Sequence, residues 1–304
     1  MNDLITDVKS LELETLKNLK SSKALNTLRA YKADYKDFTL FCVKHSFKSM
    51  PSEPKIVSLY LTHLSQTSKF STLKRRLASI SVIHKLSGHY IDIKHPLITE
   101  NLMGIKRVIG SYQKAKKPIL INELKLIVNV IDKDKNEKRR LKNRALILIG
   151  FAGGFRRSEL VAIHYEDIDF VTEGVKIFVK RSKTDQSGEG MIKGIPYFLN
   201  QDFCPVISLK NWLKKSEVKS GKIFNMSDKT VALTVKKYTG IAGLDSNKYS
   251  GHSLRSGFAT STAELGAEER SIMAMTGHKT TQMVRRYIKE ANLFKNNALN
   301  KIEI

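Results

Sequence analysis

Cysteine is scarce. Cys42 and Cys204 are the only two in 304 residues, and neither belongs to a Cys-x-x-Cys pair. A disulfide scaffold or a structural zinc site is therefore not expected. Carboxylates are also in short supply. The chain has 29 Asp and Glu against 53 Lys and Arg, a formal charge of +24 and a pI near 9.9. Such an imbalance points to a polyanionic partner, nucleic acid first and an anionic membrane surface second. Apolar residues make up 41% of the chain, enough to build cores. They never form a run approaching the roughly 18 residues that mark a membrane span. The opening stretch "MNDLITDVKSLELETLKN" is polar and acidic, without the apolar segment of a signal peptide. No association with a membrane and a reducing cytoplasmic location are the resulting expectations. Internal repeats and low-complexity tracts are missing too.

What the chain has is helical periodicity. Leu28, Tyr31, Tyr35, Phe38 and Cys42 recur every three or four residues, one stripe of an amphipathic helix. A second helix fits "PKIVSLYLTHLSQ". A third fits "STLKRRLASISVIHKLSGH", with Ser71 or Thr72 near its cap and Leu73, Leu77, Ile80 and Ile83 facing the core. Lys74, Arg75 and Arg76 occupy its other face, suited either to solvent or to DNA phosphates. A fourth helix runs from Leu97 to Ile109. The aperiodic stretch "GSYQKAKKPIL", residues 110–120, then reads as a linker and domain boundary. Beyond it come a helix at Ile121–Ile131 and another in "KRRLKNRALILIGFAGG". A hairpin of "GVKIFVK" and "IKGIPYFL" follows, with a polar tip "RSKTDQSGEG", and helices return to the end. The expected fold is mainly α with a small antiparallel β-sheet in the second of two domains.

Five short segments carry polar groups suited to chemistry. In "GGFRRSEL", Gly153 and Gly154 end one helix and Arg156 enters the next, where free N–H groups and a guanidinium could collect an anion. Glu159 lies one turn on and could orient a basic neighbour. Lys183 sits at the hairpin tip. In "GHSLRSGFAT", His252 and Arg255 are three apart, so both project to one point on a helix face, anchored by Leu254, Phe258 and Leu265. His278 follows a helix-ending Gly277, and Tyr287 lies nine residues later on an amphipathic segment. Taken singly, each has an ordinary structural explanation as a cap, a packed ring or a solvated charge.

Together they form an ordered set: Arg, Glu, Lys, His-x-x-Arg, His, Tyr. That set resembles the tyrosine recombinases of the phage integrase family. "GGFRRSEL" looks like the family's first arginine motif, "HSLRSGFAT" like its His-x-x-Arg motif and "TGHKTTQMVRRY" like its Gly-His…Tyr block. "NTLRAYKADYKDFTLFC" and "YLTHLSQTSKFSTLKRRLASISVIHKLSG" are similar to the core-binding domain of Cre-type recombinases, and the two-domain layout is Cre- or Xer-like. The resemblance implies residues 1–112 as a helical, SAM-like DNA-binding domain and residues 113–304 as the catalytic domain. The two would form a C-shaped clamp around DNA.

The implied activity is site-specific DNA recombination through a 3′-phosphotyrosine, without metal or cofactor. Tyr287 is the implied nucleophile. Arg156 and Arg255 would present planar donors to the phosphate, roughly 3–4 kcal/mol each when removed. His252 would accept the phenol proton and Lys183 would protonate the 5′-oxygen leaving group. His278 would bond the phosphate, and Glu159 would position the basic residues. Four protomers would assemble on double-stranded DNA at a specific site, with the tail after Tyr287, apolar at Phe294, Ala298 and Ile302, docking in trans. Ser256, Phe155, Met283 and Val284 depart from residues more frequent in the family, and none removes a catalytic group. A type IB topoisomerase-like relaxing enzyme and a non-catalytic architectural DNA-binding protein are the alternatives.

Overall fold

The computed structural model describes residues 8–21, 24–112, 115–182, 185, 188–292, 294 and 298–302. Two units separate by contact density, Met1–Lys114 and Ala115–Ile304.

The first unit is helical: α1 (Val8–Ser21), α2 (Leu25–Lys44), α3 (Pro54–Ser65), α4 (Phe70–Leu86) and α5 (Pro96–Ile109). α1 was not anticipated from the polar opening sequence. Pro54 and Pro96 each stand in the first turn of a helix, where a missing N–H leaves no bond unmade. The α2 stripe buries Phe38 and Cys42 against Tyr60 and Leu61 of α3, Leu73 and Ile80 of α4 and Ile98 of α5. Burial raises the Cys42 thiol pKa to about 11, so this cysteine serves as a small core side chain. α4 begins at Phe70, one position before the expected cap, because the Phe70 ring itself enters the core. Ile83 is only half-buried, and His84 takes the inner position. Its Nδ1–H donates to Ile80 O (2.8 Å) and its Nε2 accepts from Ser52 N (3.0 Å).

The second unit runs α6 (Ile121–Asp132), α7 (Glu137–Ala152), α8 (Arg157–Leu160), β1 (Ile168–Val171), β2 (Gly174–Val179) and β3 (Met191–Pro196). It continues with α9 (Pro205–Ser216), α10 (Asp228–Ile241), α11 (His252–Glu264), α12 (Glu269–Thr276) and α13 (Thr281–Ala291). The expected hairpin is present, with Val175 opposite Ile195 and Ile177 opposite Lys193. β1 adds a third antiparallel strand on the other edge of β2. With four residues, two of them exposed, β1 is too short to show alternation in the sequence.

α7 is the central element. Every residue from Ala145 to Ala152 is buried, because one side packs on the sheet and α9 and the other on α6, α10 and α11. α12 and α13 close a smaller core with α11 through Ala259, Ala263, Ile272 and Val284. The second half of the presumed linker is part of this unit. Lys117 N donates to Lys248 O (2.7 Å), and Ile119 N to Ser253 O (2.9 Å). Gly257 makes this crossing possible, since a Cβ there would lie 1.9 Å from Ile119 O. Among the described residues, no helix is long and apolar enough to cross a membrane.

Candidate active site

Gly153 ends α7, Gly154 turns with φ +53°, and the chain re-enters a helix with Arg156 at the N-cap of α8. α8 is a single turn. The anion that meets its start is internal: Glu159 Oε2 accepts from Arg156 N (2.9 Å), and Oε1 accepts from Arg156 Nη1 (2.6 Å). Glu159 is buried and holds the backbone and guanidinium of Arg156 together. Arg156 Nη2 reaches the carbonyl of Gly277 (3.4 Å), tying this turn to the end of α12. Gly277 can close that helix because it adopts the left-handed conformation, φ +62°.

α11 supplies the next pair. His252 opens the helix and Arg255 follows one turn later, so the spacing read from the sequence does place them on one face. Leu254 and Phe258 anchor the segment. Leu265 does not: it follows the last turn and is 76% exposed. Arg255 is the largest fully buried side chain among the described residues, at 1% exposure. Its Nη1 donates to Gly154 O (2.8 Å) and its Nη2 contacts His278 Nε2 (3.0 Å). Burial, and then the nearby Arg156 charge, lower its pKa to about 10, which leaves it cationic at neutral pH. His278 is held on its other side by Thr276 Oγ1, 2.8 Å from Nδ1. Burial and the Arg255 and Arg156 charges push its pKa down to about 4. The His252 pKa is also lowered, first by desolvation and then by Arg255, Arg156 and Arg157. His278 is therefore neutral at pH 7, and the shift at His252 favours its neutral form.

Tyr287, on α13, is 7% exposed, and its hydroxyl lies 3.4 Å from His252 Nε2, a long contact for a hydrogen bond. Its ring centroid is 6.3 Å from that of His278. Val284, one turn earlier, is fully buried, and Met283 faces outward. Six of the seven expected residues thus come together within one chain. The seventh, Lys183, lies outside the described residues.

Two buried polar residues at this site were not singled out from the sequence. Lys193 shares the inward face of β3 with Ile195 and is fully buried. Its Nζ donates to Gly153 O (2.7 Å) and Met275 O, and stands 4.6 Å from the centroid of the Phe155 ring. It joins the two turns that carry Arg156 and His278. Desolvation, opposed by Glu159 and reinforced by Arg255 and Arg156, lowers its pKa to about 7. The available signal was position: in "MIKGIP" the lysine falls in phase with Met191 and Ile195. Thr276, the second, has a buried hydroxyl, and nothing in "MTGHKTT" marks it.

Lys74, Arg75 and Arg76 lie on α4 of the first unit. Lys74 is exposed, its Nζ 5.5 Å from the centroid of the Phe70 ring. Arg75 and Arg76 are tied to buried Asp34 on α2, and Arg76 also pairs with Asp37 (3.2 Å). Their charge is partly neutralised within the unit.

The family model described as the phage integrase family matches residues 119–293, more than half of the chain. A protein of Selenomonas ruminantium, an integrase/recombinase xerD homolog, is 41% identical and covers 99% of this chain and 92% of its own length. The chain belongs to the phage integrase family. It is accordingly a site-specific tyrosine recombinase, which breaks and rejoins DNA strands through a tyrosine. Solved structures agree in fold with this recombinase. XerH recombinase bound to its difH substrate before cleavage has a TM-score of 0.62 at 19% identity, covering 89% of this chain and 79% of that one. A lambda integrase tetramer bound to a Holliday junction has a TM-score of 0.59 at 18% identity, covering 99% and 81%.

Proposed function

We propose that Tyr287 Oη attacks the scissile phosphate of a specific duplex site, forming a 3′-phosphotyrosine and releasing the 5′-oxygen. The phenol has a reference pKa of about 10 and needs a proton acceptor. His252 is that acceptor, and Lys183 protonates the departing 5′-oxygen. Arg156 and Arg255 offer planar donors to the non-bridging oxygens as negative charge builds in the transition state. Glu159 holds Arg156, and His278 serves the phosphate pocket through Arg255. The second displacement, by a 5′-hydroxyl on the phosphotyrosine, reverses these proton transfers. No metal or cofactor enters the scheme.

One observation carries this reading. The Tyr287 hydroxyl stands 3.4 Å from an imidazole whose own helix presents Arg255 one turn away, and Arg156 and His278 adjoin that arginine. The test uses nicked duplexes carrying candidate sites from the native locus, in EDTA, with wild type and Tyr287→Phe. A denaturant-resistant protein–DNA adduct with wild type alone is the expected result. An adduct with Tyr287→Phe, or loss of the wild-type adduct in EDTA, overturns the scheme.

The same reading gives residues 1–112 the role of a SAM-like core-binding domain, with Lys74, Arg75 and Arg76 on DNA phosphates. Residues 113–304 are the catalytic domain. Four copies act together, as in the lambda integrase tetramer on a Holliday junction. The tail docks on a neighbouring copy, a role supported by its outward apolar side chains: Phe294 is 80% exposed and Ile302 56%.

A further inference from the structure

"GGFRRSEL" holds two adjacent arginines, and the scheme above uses only the first. The two stand in opposite surroundings. Arg156 is half-buried and bound by Glu159. Arg157, the first residue of α8, has a side chain that is 42% exposed. Its Nη2 lies 3.8 Å from Asp228 Oδ2, on the first residue of α10. That separation is too long for a hydrogen bond, and an ion pair open to solvent on both sides contributes little. Among the described residues the Arg157 guanidinium makes no hydrogen bond, so its donors remain available.

Its stem, by contrast, is closely packed. It crosses Gly251, the buried N-cap residue of α11. A Cβ at position 251 would lie 2.6 Å from Arg157 Cγ, nearer still to Cδ, and 3.5 Å from Nε. Only glycine leaves room for the side chain to cross there. The next residue is His252, 3.4 Å from the Tyr287 hydroxyl. Burial first, then Arg255, Arg156 and Arg157, lowers the His252 pKa, so the Arg157 charge acts within the field of that ring. An arginine whose stem is already ordered gives up less rotamer freedom when it meets a ligand. Its planar fork matches the two non-bridging oxygens of a phosphodiester.

We propose that Arg157 binds the backbone phosphate next to the scissile one and so fixes where the DNA strand passes His252. This rests on the reading that the scissile phosphate lies between Tyr287 and the arginines Arg156 and Arg255. Arg157 adds a contact to the neighbouring phosphate, one that holds the strand in register.

The experiment measures DNA binding by the full chain in the Tyr287→Phe background, with Arg157, Arg157→Gln or Arg157→Lys. The duplexes carry the native-locus site, with each phosphate in turn replaced by a neutral methylphosphonate. Wild-type adducts on nicked duplexes map the scissile phosphate. On the unmodified duplex Arg157→Gln should weaken binding roughly 5–10-fold, as for one exposed charge-assisted bond. It should also reduce the slope of log affinity against log salt by about 0.9. Arg157→Lys should keep the slope and lose part of the affinity, because a point charge replaces the fork. A methylphosphonate beside the scissile position should weaken the Arg157 chain by the same factor and leave Arg157→Gln unaffected. An unchanged slope in Arg157→Gln overturns the proposal, and with a lowered Tm it would mark Arg157 as a structural residue. Coupling at no phosphate, or only at one away from the scissile position, overturns it too. Coupling at one phosphate in a protein whose wild type forms no adduct would defeat the catalytic scheme and leave the Arg157 contact standing.

Discussion

Glu159 accepts from both the amide and the guanidinium of Arg156 while itself buried, so the two form a largely buried ion pair. Removing one partner of such a pair destabilises by about 3–5 kcal/mol. Glu159→Gln keeps the shape and one carbonyl acceptor, so the lower end of that range is expected in urea denaturation, together with slower adduct formation. The lysine on the other side of this cluster titrates in an accessible range. Unfolded, Lys193 has the usual value of 10.5, and folded it loses its proton near 7. Between those values the unfolded chain holds more protons, so this residue makes stability rise with pH, by up to ~1.4 kcal/mol per unit. His278 acts in the acid range: the unfolded ring takes a proton near 6.5 and the folded ring only near 4, so stability falls as pH drops through that window. Comparing Tm of wild type and Lys193→Met from pH 6 to 9 isolates the lysine. Wild type should gain on the variant as pH rises, and a constant difference would show that the lysine does not titrate there.

At the scale of elements, the parts legible in the sequence are those whose period reaches the core directly. The α2 stripe, α6 and the β2–β3 hairpin follow their apolar spacing, and the αL glycine that ends α12 is readable as Gly277 before His278. β1 and α1 were not legible, one because four residues show no period, the other because its sequence is largely polar. The strap at Lys117–Ile119 was hidden for a different reason. Its Gly, Ser, Lys and Pro neighbourhood reads as a linker, and only its bonds to residues 248 and 253 make it part of the second unit. Gly257 permits that strap. Gly257→Ala sets a methyl against the Ile119 carbonyl and should destabilise by about 1–3 kcal/mol or more, measured as a fall in Tm. Because the displaced segment runs beside the first turn of α11, adduct formation should fall as well, whereas an unchanged Tm would mean the strap simply moves aside.

For the whole molecule, the decisive property is that the phenol and the arginines belong to one chain. An equimolar mixture of Tyr287→Phe and Arg255→Ala proteins should therefore form no adduct on a nicked duplex. Recovery of cleavage would mean that the nucleophile comes from a neighbouring copy. The charge of +24 is likewise a property of the whole chain, but its distribution is not uniform. Arg75 is held by Asp34, 41 positions earlier, and Lys74 beside it is exposed. Two adjacent basic residues thus differ in what they can offer a phosphate.

The sequence by itself determined which reactive groups this recombinase has and in what order, because each stands in a short motif whose geometry is local. His252 and Arg255 share a helix face whatever surrounds them, and Gly277 ends a helix wherever it packs. Only the tertiary structure decided what those groups touch. Arg255 meets a carbonyl 101 positions away and an imidazole 23 away, and Tyr287 meets a histidine 35 away. Protonation states follow from such partners and from burial. That is why neutral His278, the clamp of Lys193 and the hydroxyl of Thr276 emerged only once the chain was folded.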